Sequence, residues 1–178
     1  MMSSAKAYLL APVFCLALSV SPAVFASGSA VSDLNVQAVI VQPLTLNCNT
    51  RSLSFGTVLP GASGGTVRVP TTGAATYGGS TAAGAGAPTA GQCSMTGGGD
   101  ASYEVHLPAS ITLSNGSNQT MTVNNLIMSD GSSTGASVYV SALNNGSDVI
   151  AIGGDLVVPA GQKAGTYTGV LRVEAMYE

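Results

Sequence analysis

The chain has 178 residues, with five Lys or Arg against eight Asp or Glu and a formal net charge of −3. So few cations cannot neutralise a run of phosphates, and no basic amphipathic stretch is present to hold an anionic membrane, so nucleic acid and lipid surfaces are not expected partners. One histidine and three cysteines are also too few for the clusters of activated or ligating groups on which most catalytic and metal centres rest.

The first 26 residues have the order of a secretory signal. Lys6 sits in a short start, an apolar run follows from Ala7 to about Val20, Pro22 breaks it, and Val24-Phe25-Ala26 closes on a small residue. The run is shorter than the roughly 20 residues a bilayer span needs. The expectation is export through the Sec pathway to the periplasm and then the cell surface or medium, with no membrane insertion after cleavage. Gly28-Ser29-Ala30 is a second small-residue site, so cleavage after Ala26 and after Ala30 both fit. Cys15 lies in the apolar run with no small-residue lipobox before it, which argues against a lipoprotein. Removal of the leader leaves a one-domain length, four basic side chains (Arg51, Arg68, Lys163, Arg172) and two cysteines. In an exported protein, an even pair reads as a disulfide, Cys48 to Cys93, worth about 4 kcal/mol in the chain-entropy model. A metal site would need more than one thiol pair and the lone His106, and there is no C-x-x-C spacing.

Past the leader, Gly, Ser, Thr, Asn and Pro clusters break the sequence into short runs of period two, and no window carries a sustained helical stripe with caps. Leu34, Val36, Ala38 and Ile40 alternate, and beyond Pro43 the ladder resumes as Leu44, Leu46 and Cys48. Leu53 to Val58 reads as a short strand turned by Pro60-Gly61, and Thr66 to Val69 as the next. Residues 71–91 are nearly all Gly, Ala, Ser and Thr, a long surface loop or a pair of ragged edge strands. Gln92 to Met95 follows. Tyr103, Val105 and Leu107 then share one face of a strand, with Glu104 and His106 on the other. Ile111 to Leu113 stops at Asn115-Gly116, and Met121, Val123 and Leu126 lead to Asp130-Gly131. Val138 to Leu143 ends in the hairpin-grade turn Asn144-Asn145-Gly146, Val149 to Val158 is kinked at Gly153-Gly154, and a last strand runs from Gly165 to the C-terminus. About eight or nine strands of this kind make an all-β, immunoglobulin-like antiparallel β-sandwich.

No candidate chemistry rises above a structural explanation. His106 is expected to be a solvent-facing strand residue rather than a general base. The serines have no base and orienting acid to pair with. Asp148 and Asp155 flank one strand but do not make a glycosidase pair. Gly97-Gly98-Gly99-Asp100 lacks both the alternating oxygen ligands of a calcium loop and the Lys-Ser/Thr of a P-loop, so it reads as a turn. No enzyme activity and no cofactor are expected.

The two ends carry more. In the last 14 residues, Gly165, Tyr167, Gly169, Leu171, Val173, Ala175 and Tyr177 lie on one face of a strand, with Thr168, Arg172 and Glu174 on the other. An exposed edge of that length aggregates unless something pairs with it. The Leu34-Val36-Ala38-Ile40 ladder is a candidate donor for such an edge on another copy. Donor and acceptor differ, so the contact is heterologous and can propagate as a fibre.

The terminal Gly165, the alternating Leu171, Val173 and Ala175 and the penultimate Tyr177 resemble the C-terminal strand of chaperone–usher pilins. That resemblance implies a homopolymer built by strand exchange, with a periplasmic chaperone and an outer-membrane usher as partners, and a disulfide between two early strands at Cys48 and Cys93. Leu53-Ser-Phe-Gly with Gly61, Tyr103-x-Val-x-Leu-Pro-x-x-Ile-x-Leu, Met121-x-Val and Gly165-Thr-Tyr-x-Gly also resemble domain-of-unknown-function family 4402, a set of secreted bacterial domains. The expected plan is a signal peptide over 1–26, an N-terminal extension or first strand over 27–43, and a sandwich over 44–178. The expected function is a fimbria-like structural subunit serving adhesion. The alternative is a self-complemented monomer that holds a glycan or protein through loops such as 71–91.

Overall fold

A computed structural model describes residues 28–82 and 86–178. The signal sequence expected over 1–26 lies outside the described residues, as does the middle of the glycine-rich loop. By contact density the chain divides into two units, Met1–Ala38 and Val39–Glu178. In the first, residues 28–38 form no regular secondary structure, and Val31, Leu34 and Val36 are 89%, 86% and 87% exposed.

The second unit holds thirteen strands and no helix among its described residues. They are β1 (Thr45–Arg51), β2 (Val58–Pro60), β3 (Gly65–Val69), β4 (Thr76–Gly78), β5 (Ser80–Ala82), β6 (Gly91–Thr96) and β7 (Ser102–His106). β8 (Ser110–Ser114), β9 (Thr120–Ser129), β10 (Thr134–Gly135), β11 (Val138–Ala142), β12 (Ser147–Val158) and β13 (Glu174–Tyr177) follow. An eight-stranded sheet runs β1-β6-β12-β3-β4, and β9 pairs with β12 while carrying β8 and β10. A three-stranded sheet, β11-β7-β13, forms the second layer, and β2-β5 is a small separate ribbon. Every ladder is antiparallel. The protein is therefore an all-β, immunoglobulin-like antiparallel sandwich.

The alternation visible in the sequence decides what fills the space between the layers. Tyr103 and Val105 of β7, Leu107 just after it, and Tyr139 of β11 share one core with Val67, Val69, Met95, Val123, Met128, Ile150, Ile152 and Leu156 from the large sheet, all of them buried. Glu104 and His106 lie on the other face of β7, with His106 Nε2 3.2 Å from Glu104 Oε1.

β12 is the strand on which the large sheet is hung. One of its edges pairs with β6 over Ser147–Ile152 and then with β3 over Gly154–Val158, while the opposite edge pairs with β9. The register against β9 slips between Gly153 and Asp155, at the kink the sequence marks. A side chain on Gly153 would strike the Val69 carbonyl, so the change of partners needs glycine there. Asn125 sits opposite the slip in the left-handed region, with φ of 47°, and its Nδ2 donates to Asp155 Oδ2 at 3.0 Å. Arg68 of β3 closes the same knot, its Nε and Nη2 donating to the two Asp155 oxygens at 2.7 and 2.8 Å.

Several expectations need correction. The strand expected over Leu53 to Val58 is a single bridge, Ser54 to Thr89, followed by the short β2. Of the two readings of 71–91, the pair of ragged edge strands is the one found, as β4 and β5. Of the two readings of 27–43, the first strand is not found over the described residues 28–43, and regular pairing begins at Thr45. The C-terminal strand expected from Gly165 is laddered only over Glu174–Tyr177, because upstream of it the chain meets a partner at Thr168 alone.

A buried carboxylate, Asp155, and a half-buried one, Asp130, give the fold an acid sensitivity. The Arg68 guanidinium, helped by Asn125 and opposed by burial, holds Asp155 below the usual carboxylate range. Burial would raise Asp130, but donors from Ser132, Ser133 and Ser141 outweigh it and lower its pKa. Each group binds its proton more weakly folded than unfolded, so its stabilisation is complete above about pH 4 and is lost as pH falls through the depressed folded value. Urea midpoints measured from pH 7 down to pH 2 should therefore decline below about pH 4. Asp155→Asn should cost about 1–2 kcal/mol at pH 7 and flatten that decline; an unchanged slope would remove Asp155 from the account.

Candidate functional site, an open strand groove

Between the chain after β1 and the chain before β13 the sandwich wall is missing a strand. The gap is a groove of about 1220 Å³ lined along one side by residues 51–60 and along the other by residues 162–171 and Val173. Its floor is apolar, formed by Ile111, Leu113, Met121, Val123, Ile152 and Leu156, with Leu53, Phe55 and Leu171 on the walls. Ile111, Leu113, Met121 and Leu171 are only partly buried although they pack on the core. They are core side chains left short of a cover.

Each wall is tied to the rest of the domain by one isolated bridge. Ser54 and Thr89 exchange backbone hydrogen bonds of 2.9 and 2.8 Å, and Ser114 and Thr168 exchange bonds of 2.8 and 2.9 Å. Residues 169–172 make no backbone hydrogen bond to another described residue. Successive residues of an extended chain turn their amides to opposite edges, so the edge facing away from β8 is left with donors and acceptors for one more strand.

The residues singled out at the C-terminus are distributed along this wall. Tyr167 stands at its far end, where the hydroxyl accepts from Gln162 Nε2 at 2.7 Å and donates to the Lys163 carbonyl at 2.7 Å. Gly169 lets the wall lie against β8, since a Cβ there would be 2.6 Å from the Thr112 carbonyl oxygen and 2.8 Å from Leu113. Leu171 and Val173 line the groove, and Ala175 packs on the core within β13. Tyr177 lies beyond the groove, its hydroxyl accepting from the Gly98 amide at 2.8 Å and donating to the Gln42 carbonyl at 2.7 Å. Gly165 opens the segment beside Asn115.

Of the N-terminal ladder, Leu34, Val36 and Ala38 belong to the first unit, and Ile40, in the second, is 96% exposed. Cys48 and Cys93 are bonded across β1 and β6 at the near end of the groove. The floor residues Ile111, Leu113 and Met121 were legible as strand positions, but nothing in their alternation marks them as uncovered. The triglycine turn holds no ligand geometry: Gly97 donates to the Gly146 carbonyl, Gly146 to the Gly99 carbonyl, and Asp100 Oδ1 accepts from Asn145. Asp148 is bonded to the Tyr103 hydroxyl and Asp155 to Arg68, on different partners. Among the described residues no group of three His, Cys, Asp or Glu is placed to hold a metal.

The arrangement is that of an antiparallel β-sandwich whose distinctive surface is an open groove with an apolar floor. The chain belongs to the DUF4402 family, a domain of unknown function, whose family model matches residues 45–177. No curated protein and no solved structure is detectably similar to it.

The disulfide fixes the first wall to the sheet, and removing it should be felt in stability. A Cys48→Ser, Cys93→Ser double variant is expected to lose about 2–5 kcal/mol in urea unfolding under non-reducing conditions. A loss well below 1 kcal/mol would mean that strand pairing alone holds β1 on β6.

Proposed function

We propose that this protein is a structural subunit of a bacterial surface fibre, pilus- or fimbria-like, in which the N-terminal segment of one copy fills the groove of the next and the assembly serves adhesion. The observation that carries the reading is the pairing of an open apolar groove with an exposed apolar ladder on the same chain. Leu34, Val36, Ala38 and Ile40 alternate at strand period, and the groove offers an apolar floor beside the 169–172 edge, which can pair with an added strand.

Physical chemistry favours such an occupant. Four aliphatic anchors at roughly 1.5–3 kcal/mol each give a gross term of order 10 kcal/mol before ordering costs, and main-chain bonds add to it. The exchange is heterologous, donor on one copy and acceptor on another, so it extends as a filament instead of closing as a dimer. An uncovered edge is also a hazard before assembly. A periplasmic chaperone that lends a temporary strand, and an outer-membrane usher that exchanges it, are the partners this reading calls for, after export through the Sec pathway.

Material sheared from producing cells and run unheated on a denaturing gel should give a ladder of multimers that collapses to one band on boiling. Val36→Asp, which would place a charge on the groove floor, should abolish the ladder while leaving the boiled band in place. A single monomer band in the unheated wild-type lane would overturn the fibre reading and favour a self-complemented domain that binds through its loops.

A further inference from the structure

The strand-exchange reading leaves open why the extension should enter a neighbour rather than its own groove, and the contacts of Tyr177 supply an answer. Its hydroxyl bonds both the Gly98 amide, at 2.8 Å, and the Gln42 carbonyl, at 2.7 Å. The ring end packs so closely on Gly97 that any side chain at that position would collide with it, and a Cβ at Gly98 would come within 3.3 Å of the Gln42 nitrogen and 3.6 Å of Val41. Just upstream of this clamp, Val39 and Ile40 are 77% and 96% exposed. Pro43 follows at once, which holds Gln42 to extended conformations and fixes its own φ.

We propose that the Tyr177 hydroxyl fixes the point at which the extension leaves the domain, and so directs its ladder into a second copy of the chain instead of back into its own groove. The inference rests on the strand-exchange reading and concerns which copy is the donor. At about 3.3 Å per residue, Val173 and Gly165 lie about 13 and 40 Å along the strand from Tyr177. With Gln42 held at Tyr177, a chain folded back beside its own wall would bring Ile40 level with Ala175, short of the groove. Ala38 would fall at Val173 and Leu34 only at Gly169, leaving the Tyr167 end unfilled. A second copy carries no such tether, so all four anchors can be seated.

The test uses the full exported chain, with a synthetic peptide of residues 31–42 as the probe. Tyr177→Phe keeps the ring over Gly97 and loses both hydrogen bonds. Inserting Gly-Ser-Gly between Val41 and Gln42 keeps the clamp but lengthens the tether. Each change is expected to raise the ratio of monomer to multimer on unheated gels about ten-fold or more, and the resulting monomer should no longer take up the peptide because its groove is filled in cis. Multimer distributions unchanged in the insertion variant, with the peptide still captured by wild-type monomer, would overturn the clamp and leave strand exchange standing. Wild-type monomer that neither polymerises nor takes up the peptide would overturn both. Should Tyr177→Phe fail to fold, the insertion variant decides.

Discussion

A peptide group turned toward an apolar surface must find a hydrogen-bond partner, and this requirement organises the second unit of the chain. Around β12 it is met on both edges, by β6 and β3 in succession and by β9 opposite. Along the C-terminal wall it is met on one edge only, at Thr168 and again from Glu174 onward. The difference between these two neighbourhoods separates a finished core from an unfinished one. Where the ladder is complete, Met95, Val105, Val123 and Ile150 are fully buried; where it is not, Ile111, Leu113 and Leu171 are held half-covered.

The finished half tolerates its irregularities because each has a local partner. The Gly153-Gly154 kink lets one strand serve two neighbours on the same edge, and the cost of burying Asp155 beside it is offset by a bidentate arginine and an asparagine side chain. Arg68 remains largely in solvent, so the pair avoids the full desolvation penalty of a buried ion pair. The turn at Asn144-Asn145-Gly146 and the glycine run at 97–99 are likewise bonded to each other, which places the loop end beside Tyr177.

Much of this was legible in the sequence, for a definite reason. Period-two alternation reports which face of a strand is inward, so Tyr103, Val105 and Leu107, and the split between Leu171-Val173-Ala175 and Arg172-Glu174, could be read without coordinates. Asn145-Gly146 and Gly153-Gly154 announced a turn and a kink because few other residues fit there. The groove was only half visible. Alternation says that a residue faces inward but not whether a neighbouring strand covers it, and Ile111 and Val123 look alike on that measure. The length of the last strand was overread for the same reason: residues 166–173 carry the pattern of a laddered strand without the partner that would make one. The Tyr177 clamp was beyond reach, since it depends on Gln42 and Gly98, residues with no signature of their own.

The position of the disulfide has a mechanical consequence. Tension applied to the chain upstream of Gln42 meets the Tyr177 hydrogen bond, enters β1 at Thr45 and reaches Cys48 at its middle, where the covalent bridge to Cys93 hands it to β6. β6 is seated directly on β12, at the centre of the large sheet. The stretch from Cys48 to Cys93, which includes the first wall of the groove, is a covalently closed loop that tension entering by this route does not extend. Pulling on the N-terminal side of the domain would load its best-connected strands before it stretched that wall.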